Sequence, residues 1–228
     1  LSEQLRRPVN FLGNPFMDPV LTPVPPLPLV GYRIGLLPGS RRPELESNLQ
    51  LLLQLMGNLP PSETLHADLA LVAGLDDTAL QKIAESVGWQ LNNGALERSG
   101  APSVQVRRGS FQAVLQHSDL VIGMAGTAVE QAVGLAKPVL QLPGQGPQFT
   151  EAFAEAQRRL LGPTVFCAEG ESGSSKNLQD SAAMVTDLLE RSRHDLELKQ
   201  QCRAESARRL GHQGGGRRMA SAITALLQ

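Results

Sequence analysis

At 228 residues, 41% hydrophobic and 19% charged, the chain can bury one large core and lacks the polar bias of a disordered protein. Its 21 Lys and Arg residues against 22 Asp and Glu leave no global basic field that would draw nucleic acid by charge alone. Cys167 and Cys202 form no Cys-x-x-Cys pair and have no histidine at ligand spacing beside them, which argues against a disulfide scaffold or a zinc site.

No apolar run reaches the roughly 20 residues that cross a bilayer, and Leu1 to Asn10 lacks the basic-then-apolar layout of a secretory signal. The expected location is cytoplasmic. The opening at Leu1, close to a proline-rich stretch, leads us to expect a fragment of a longer protein. Six prolines between Pro15 and Pro28 fix φ and remove amide donors, predicting an extended strap without regular secondary structure.

A strand over Gly31 to Leu37 then leads through Pro38-Gly39-Ser40-Arg41 into a helix over Glu44 to Met56, whose leucines repeat on one face. The unit recurs, with strand Asp68 to Ala73, helix Asp77 to Val87, strand Val104 to Arg107 and helix Phe111 to His117. Asp119 to Gly123 reads as a buried strand, Met124 to Thr127 as a small-residue turn, and Ala128 to Leu135 as a helix stopped before Pro138. Strand Val139 to Leu142, a helix from about Thr150 to Leu161, a short strand at Thr164 to Cys167 and two or three further helices complete the chain. Such alternation, with strands polar on neither face, predicts an α/β fold: a doubly wound, Rossmann-like parallel sheet with extra C-terminal helices. We expect residues 1–29 to be an interdomain segment, 30–170 a nucleotide-sugar-binding domain, and 171–228 helices that pack on it or cross to another half.

Ligands of these sheets bind beyond the carboxyl ends of the strands, so the informative loops follow Leu37, Arg107, Gly123 and Leu142. After the first, Gly39 lets backbone approach an anion, Ser40 offers a hydroxyl and Arg41 a guanidinium fork. The same residues also read as a turn with Ser40 capping the next helix and Arg41 solvated. Gly126 and Thr127 open a second helix at the same edge, and two helix N-termini suit a pyrophosphate. Thr127 with Glu130 equally has the spacing of a capping box. Glu130 and Gln131 lie about 100° apart around that helix, so only one of them faces a bound ribose, and spacing does not say which.

Pro38-Gly39-Ser40-Arg41-x-x-Glu44 resembles a motif of lipid-A-disaccharide synthase, and Gly13-Asn14-Pro15 with Asp18 resembles the interdomain Gly-His-Pro-x-x-Asp segment of that family, with Asn14 in place of histidine. Ser118-Asp119, Ala125-Gly126-Thr127-Ala128 and Lys137-Pro138 are similar to the same family and, more loosely, to other GT-B transferases and UDP-N-acetylglucosamine 2-epimerases. The resemblance spans roughly Phe11 to Gly162. It implies the donor-binding half of an inverting glycosyltransferase, moving a sugar of N-acetylglucosamine type from a UDP-sugar to a lipid-linked hydroxyl. It further implies Gly39, Ser40, Arg41, Gly126, Thr127, Glu130, Gln131 and Gln148 as donor contacts. The ribose-binding glutamate of the superfamily falls seven residues before the proline of the next strand, which here is Gln131. Gln148 faces the donor sugar in this reading and is otherwise an ordinary surface loop residue; the loop from Arg107 to Phe111 faces the base.

The resemblance places the general base in an N-terminal half and implies no metal and no cofactor beyond the donor itself. Implied partners are the UDP-sugar, a lipid acceptor reached through that N-terminal half, and a peripheral membrane contact, with no nucleic acid. Two other readings remain: a UDP-N-acetylglucosamine 2-epimerase-like enzyme, and a non-catalytic nucleotide-sugar-binding module. Gly211, Gly214, Gly215 and Gly216, followed by Arg217 and Arg218, mimic a phosphate loop, but with no strand before them they read as a helix-to-helix loop.

Overall fold

The computed structural model describes residues 9–27, 31–124, 126–142, 144 and 151–227. Six parallel strands form the body of the sheet: β1 (Tyr32–Leu37), β2 (Leu65–Leu71), β5 (Val104–Arg108), β6 (Leu120–Gly123), β7 (Val139–Gln141) and β8 (Val165–Phe166). Beyond β5 a short antiparallel hairpin, β3 (Gln90–Asn92) and β4 (Ala95–Glu97), extends the edge. The order is β3-β4-β5-β2-β1-β6-β7-β8. Its parallel part grows outward from β1 through β2 to β5, then returns to β6 on the other side of β1. That reversal is the topological switch of a doubly wound sheet, beside which such folds hold their ligands.

Alternate residues of each strand point to opposite faces, and both faces are covered. Ile34 and Leu36 of β1, Leu69 of β2 and Ile122 of β6 pack into one core with α2 (Glu44–Met56), α3 (Asp77–Glu85) and α7 (Ser175–His194). Leu45, Leu49, Leu52, Leu53 and Met56 form the buried stripe of α2, the helical repeat expected from its leucines. On the other face, Leu37, Ala70 and Val121 meet α1 (Met17–Leu21), α4 (Phe111–His117) and α5 (Thr127–Gly134). The α1–α5 approach is so close that a side chain on Gly134 would meet Met17. The remaining helices are α6 (Glu151–Leu161), α8 (Leu196–Glu205), which runs into a π-helical turn at Ser206–Leu210, and α9 (Gly215–Leu226).

Two sequence expectations need correction. The proline-rich segment is not wholly extended, because Pro19 lies in the first turn of α1, where a missing amide costs little. Beyond α1 the strap lies along α4: the Gln116 side chain donates to Val20 O (2.7 Å) and Thr22 O (2.6 Å) and accepts from Val24 N, and the His117 ring bonds Pro25 O. The β3–β4 hairpin was not foreseen. Its turn uses Asn93 (φ 49°) and Gly94 (φ 79°), the left-handed pair favoured in two-residue hairpins.

A buried charge cluster ties β1, β2 and β5 together. The Asp68 carboxylate, 1% exposed, accepts from Arg33, 2% exposed, and from Arg107 Nε at 2.6 Å, with Arg107 32% exposed. Burial first, and then the neighbouring Arg107 charge, push the Arg33 pKa below the ordinary arginine value. Asp119 accepts from the Arg33 backbone N–H (2.9 Å) and from Arg193 of α7 (2.7 Å), clamping that helix beside the first residues of β1 and β6.

Candidate functional site

Beyond the carboxyl ends of β1, β2 and β5 lies a cavity of about 420 Å³. Its wall is mostly carbon. Leu37 and Ala70 form part of the strand end, Leu71, Val72 and Ala73 carry on from β2, Gly109 and Phe111 come from the β5–α4 turn, and Gly39, Ser40 and Ala128 complete the lining. A volume of this order lies in the range of small-molecule sites.

The β1 loop is held from below. Buried Asn48 of α2 donates its side-chain amide to Pro38 O at 3.0 Å, and Gly39 takes φ +92°, a conformation other residues adopt at a cost. Helix α2 starts only after Pro43, its N-cap, and no side chain caps it. Ser40 is therefore not the cap residue; it is exposed and lines the cavity. Arg41 is exposed on the same loop. Arg42 instead reaches Gly74 O at 3.4 Å and Glu46 at 3.5 Å.

Helix α5 opens at the same place. Its N-cap is Gly126, with φ 90° and ψ −165°, and no side chain caps it. The capping-box reading of Thr127 and Glu130 is thus corrected: Thr127 is already the first helical residue and Glu130 does not return to it. Ala128 of this first turn lines the cavity, so the start of α5, where amides lack intrahelical partners, lies against it.

The orientation of α5 separates Glu130 from Gln131. At about 100° per residue, Gln131 lies roughly 60° around the helix from Ala128, and Glu130 roughly 160°. Gln131 Nε2 donates to Phe16 O at 3.0 Å, which fixes the side chain and leaves its Oε1 able to accept. Glu130 is half-buried on the far side, where desolvation raises its carboxyl above the ordinary value.

The sequence reading missed the loop after β2. Val72 and Ala73 face the cavity, and the loop is stitched from both flanks: the Arg108 guanidinium donates to Leu75 O and to Asp77 Oδ1 (2.6 Å), while Arg42 takes Gly74 O. A Val-Ala-Gly run at a strand end was the available signal. Gln148 lies outside the described residues, as does Ala125. Among the described residues, no group of three or more His, Cys, Asp or Glu side chains is placed to hold a metal ion, and no helix is long and apolar enough to cross a membrane.

The glycine-rich Gly211–Gly216 segment is not an open phosphate loop. Asp18, of the Gly13-Asn14-Pro15 segment, fills it, accepting from the amides of Gly214 (2.6 Å), Gly215 (3.2 Å) and Gly216 (3.0 Å). These bonds, that from Gly216 foremost, lower the Asp18 pKa. Asn14, in the histidine position, bonds through its own amide to Leu210 O at 2.8 Å and through Oδ1 to the Phe16 amide.

No family model and no curated protein matches the sequence. Solved structures do match the fold. Spinosyn rhamnosyltransferase SpnG aligns at a TM-score of 0.54 and 16% identity, over 87% of this chain and 45% of that one. A structure described as a UDP-N-acetylglucosamine 2-epimerase from Listeria monocytogenes aligns at 0.55 and 18% identity, over 95% and 53%. Anabaena Alr3699/HepE, solved with UDP and glucose, aligns at 0.53 and 15% identity, over 86% and 48%. This chain thus spans about half the length of each, and what it shares with them is the Rossmann-like half of the GT-B fold.

Proposed function

We propose that the chain is the nucleotide-sugar-binding half of a GT-B glycosyltransferase. The observation that carries this reading is the meeting of the Gly39-Ser40 loop and the α5 N-terminus at one cavity beside the sheet's topological switch. An apolar cavity edged by a hydroxyl and free helix amides suits a nucleoside diphosphate: base and ribose against carbon, diphosphate on the amides and Ser40. The SpnG complex with thymidine diphosphate and the HepE complex with UDP make a nucleotide-diphosphate donor the natural expectation here.

In this proposal Ser40 and the Gly126 and Thr127 amides hold the diphosphate, Arg41 adds its charge, and Phe111 with Val72 and Ala73 borders the base. Gln131 Oε1 accepts from a ribose hydroxyl, in place of Glu130, and Gln148 serves the sugar. Donors aimed at the departing diphosphate stabilise the charge that develops as the glycosidic bond breaks. The acceptor hydroxyl loses its proton to a base on another half, for which residues 1–29 form the connection. The acceptor we propose is a lipid-linked hydroxyl, as in lipid-A-disaccharide synthase, and the donor a UDP-sugar of N-acetylglucosamine type. Among the described residues, those that line the cavity include no Asp, Glu or His; an epimerase-like reaction remains the second reading.

Calorimetric titration with UDP and UDP-N-acetylglucosamine tests the reading. Binding that weakens in Ser40→Ala and Arg41→Ala supports it; failure of the folded chain to bind either nucleotide removes its basis.

A further inference from the structure

Both loops that meet at the cavity are held from the inside by a buried carboxamide. Asn48 of α2, 1% exposed, donates Nδ2 to Pro38 O at 3.0 Å, and Gln141, the last residue of β7 and 0% exposed, donates Nε2 to Met124 O at 2.7 Å. Only the NH2 end of a carboxamide donates to a carbonyl, so these bonds fix which end of each side chain faces its loop. Gln157 of α6, itself buried, accepts from the same Gln141 Nε2 at 2.7 Å and holds that side chain in place.

The two carbonyls occupy matching places in the sheet. Pro38 and Met124 each follow the last residue of a strand, β1 and β6, which are neighbours at the topological switch. In a trans peptide such as Pro38–Gly39, the C=O and the following N–H point in opposite directions. With Pro38 O drawn to Asn48, the Gly39 N–H points away from the core, on a residue that lines the cavity. Neither the Gly39 nor the Ser40 amide has an acceptor among the described residues, and the same holds for Gly126 and Thr127 at the start of α5.

Packing alone does not account for two carboxamides here. Asn48 Oδ1 and Gln141 Oε1 are both buried without a hydrogen-bond partner, and a leucine at either position would fill similar space without stranding an oxygen. What each carboxamide supplies is a donor that turns a strand-end carbonyl inward. A negative oxygen is thereby removed from the mouth of the site, and free amides are left to face an anion.

We propose that Asn48 and Gln141 are positioning residues for the nucleotide's diphosphate: without touching it, they hold the Gly39-Ser40 and Gly126-Thr127 amides in the orientation that receives it. The proposal rests on the nucleotide-sugar reading above.

Calorimetry with UDP and ligand-observed NMR with uridine, on the 228-residue chain and on Asn48→Leu and Gln141→Leu, test it. Each variant should bind UDP about fivefold more weakly, the worth of one donor, while uridine, which has no diphosphate, stays within about twofold of the parent. Val185→Ala, a core lesion in α7, should change neither. In the unaltered chain the side-chain NH2 resonances of Asn48 and Gln141 should shift when UDP is added and stay in place with uridine, a readout that needs no variant to fold. UDP binding at parent strength in the folded leucine variants, a parallel fall for UDP and uridine, or carboxamide signals that respond equally to both ligands overturns the proposal. A parent chain that binds no UDP removes the nucleotide reading and the proposal with it, whereas parent binding with unaffected variants removes the positioning role alone.

Discussion

Replacing Asp68 with alanine removes the one carboxylate that Arg33 and Arg107 share across three strands. Arg33 and Asp68 are 2% and 1% exposed, so neither can turn to water. Breaking a buried pair from one side costs about 3–5 kcal/mol, a large part of the roughly 5–15 kcal/mol that holds a domain folded. With a urea slope of about 2 kcal/mol/M, a loss of ~3 kcal/mol moves the unfolding midpoint down by ~1.5 M. Arg107→Ala should cost much less, about 1 kcal/mol, because Arg107 is 32% exposed and Asp68 keeps its contact with Arg33. Replacing the buried pair together, Arg33→Met with Asp68→Leu, should recover most of the loss, since the one charge left without its partner, Arg107, is 32% exposed and can turn to water. Equilibrium urea denaturation of the four proteins decides. If Asp68→Ala unfolds within ~0.3 M of the parent, or the double variant is weaker than Asp68→Ala, the cluster does not brace the sheet as argued.

Gln131→Ala should weaken UDP binding about fivefold, the worth of one hydrogen bond at roughly 1 kcal/mol, while Glu130→Ala stays within about twofold of the parent; the reverse ranking in calorimetry would mean that α5 is turned differently when loaded. Asp18 has a folded pKa below the ordinary 3.8, so its contribution to anchoring α9 is complete above the unfolded value and fades as pH falls through the lower folded one. The protection factors of the α9 amides should therefore be unchanged from pH 7 to 5 in the parent, and lower at both pH values in Asp18→Ala. Burial raises the Cys202 thiol to about 11, so at pH 8 a thiol reagent should leave it unmodified until the chain is unfolded; rapid labelling of Cys202 in the native protein, located by mass spectrometry, would contradict its place in the core.

The parallel body of the sheet was legible because its signals are local: short apolar strands alternating with helices whose leucines recur at helical spacing, as in Glu44 to Met56. The β3–β4 hairpin was less so, since Gln90-Leu91-Asn92 is half polar and only the Asn93-Gly94 turn announces it. The role of the glycine cluster at Gly214–Gly216 could be narrowed by its neighbours, but its carboxylate partner, Asp18, stands almost 200 residues earlier, a distance no periodicity spans. The choice between Glu130 and Gln131 shows the same limit at short range. Spacing fixes the angle between them, whereas the helix's absolute rotation depends on how Val129, Ala132 and Val133 bury against β6 and on Gln131 reaching Phe16 O. Local pattern thus names the element and the candidate atoms, and long-range packing decides how those atoms are turned. It follows that the sharpest test of the site is the α1–α5 contact: Gly134→Leu, which would drive into Met17 and Leu210, should move α1 away from α5, free Gln131 from Phe16 O and weaken UDP binding, with Ser40 and its loop left in place. A Gly134→Leu protein that is folded and binds UDP as the parent does would show that the Phe16 contact does not orient Gln131 for the ribose.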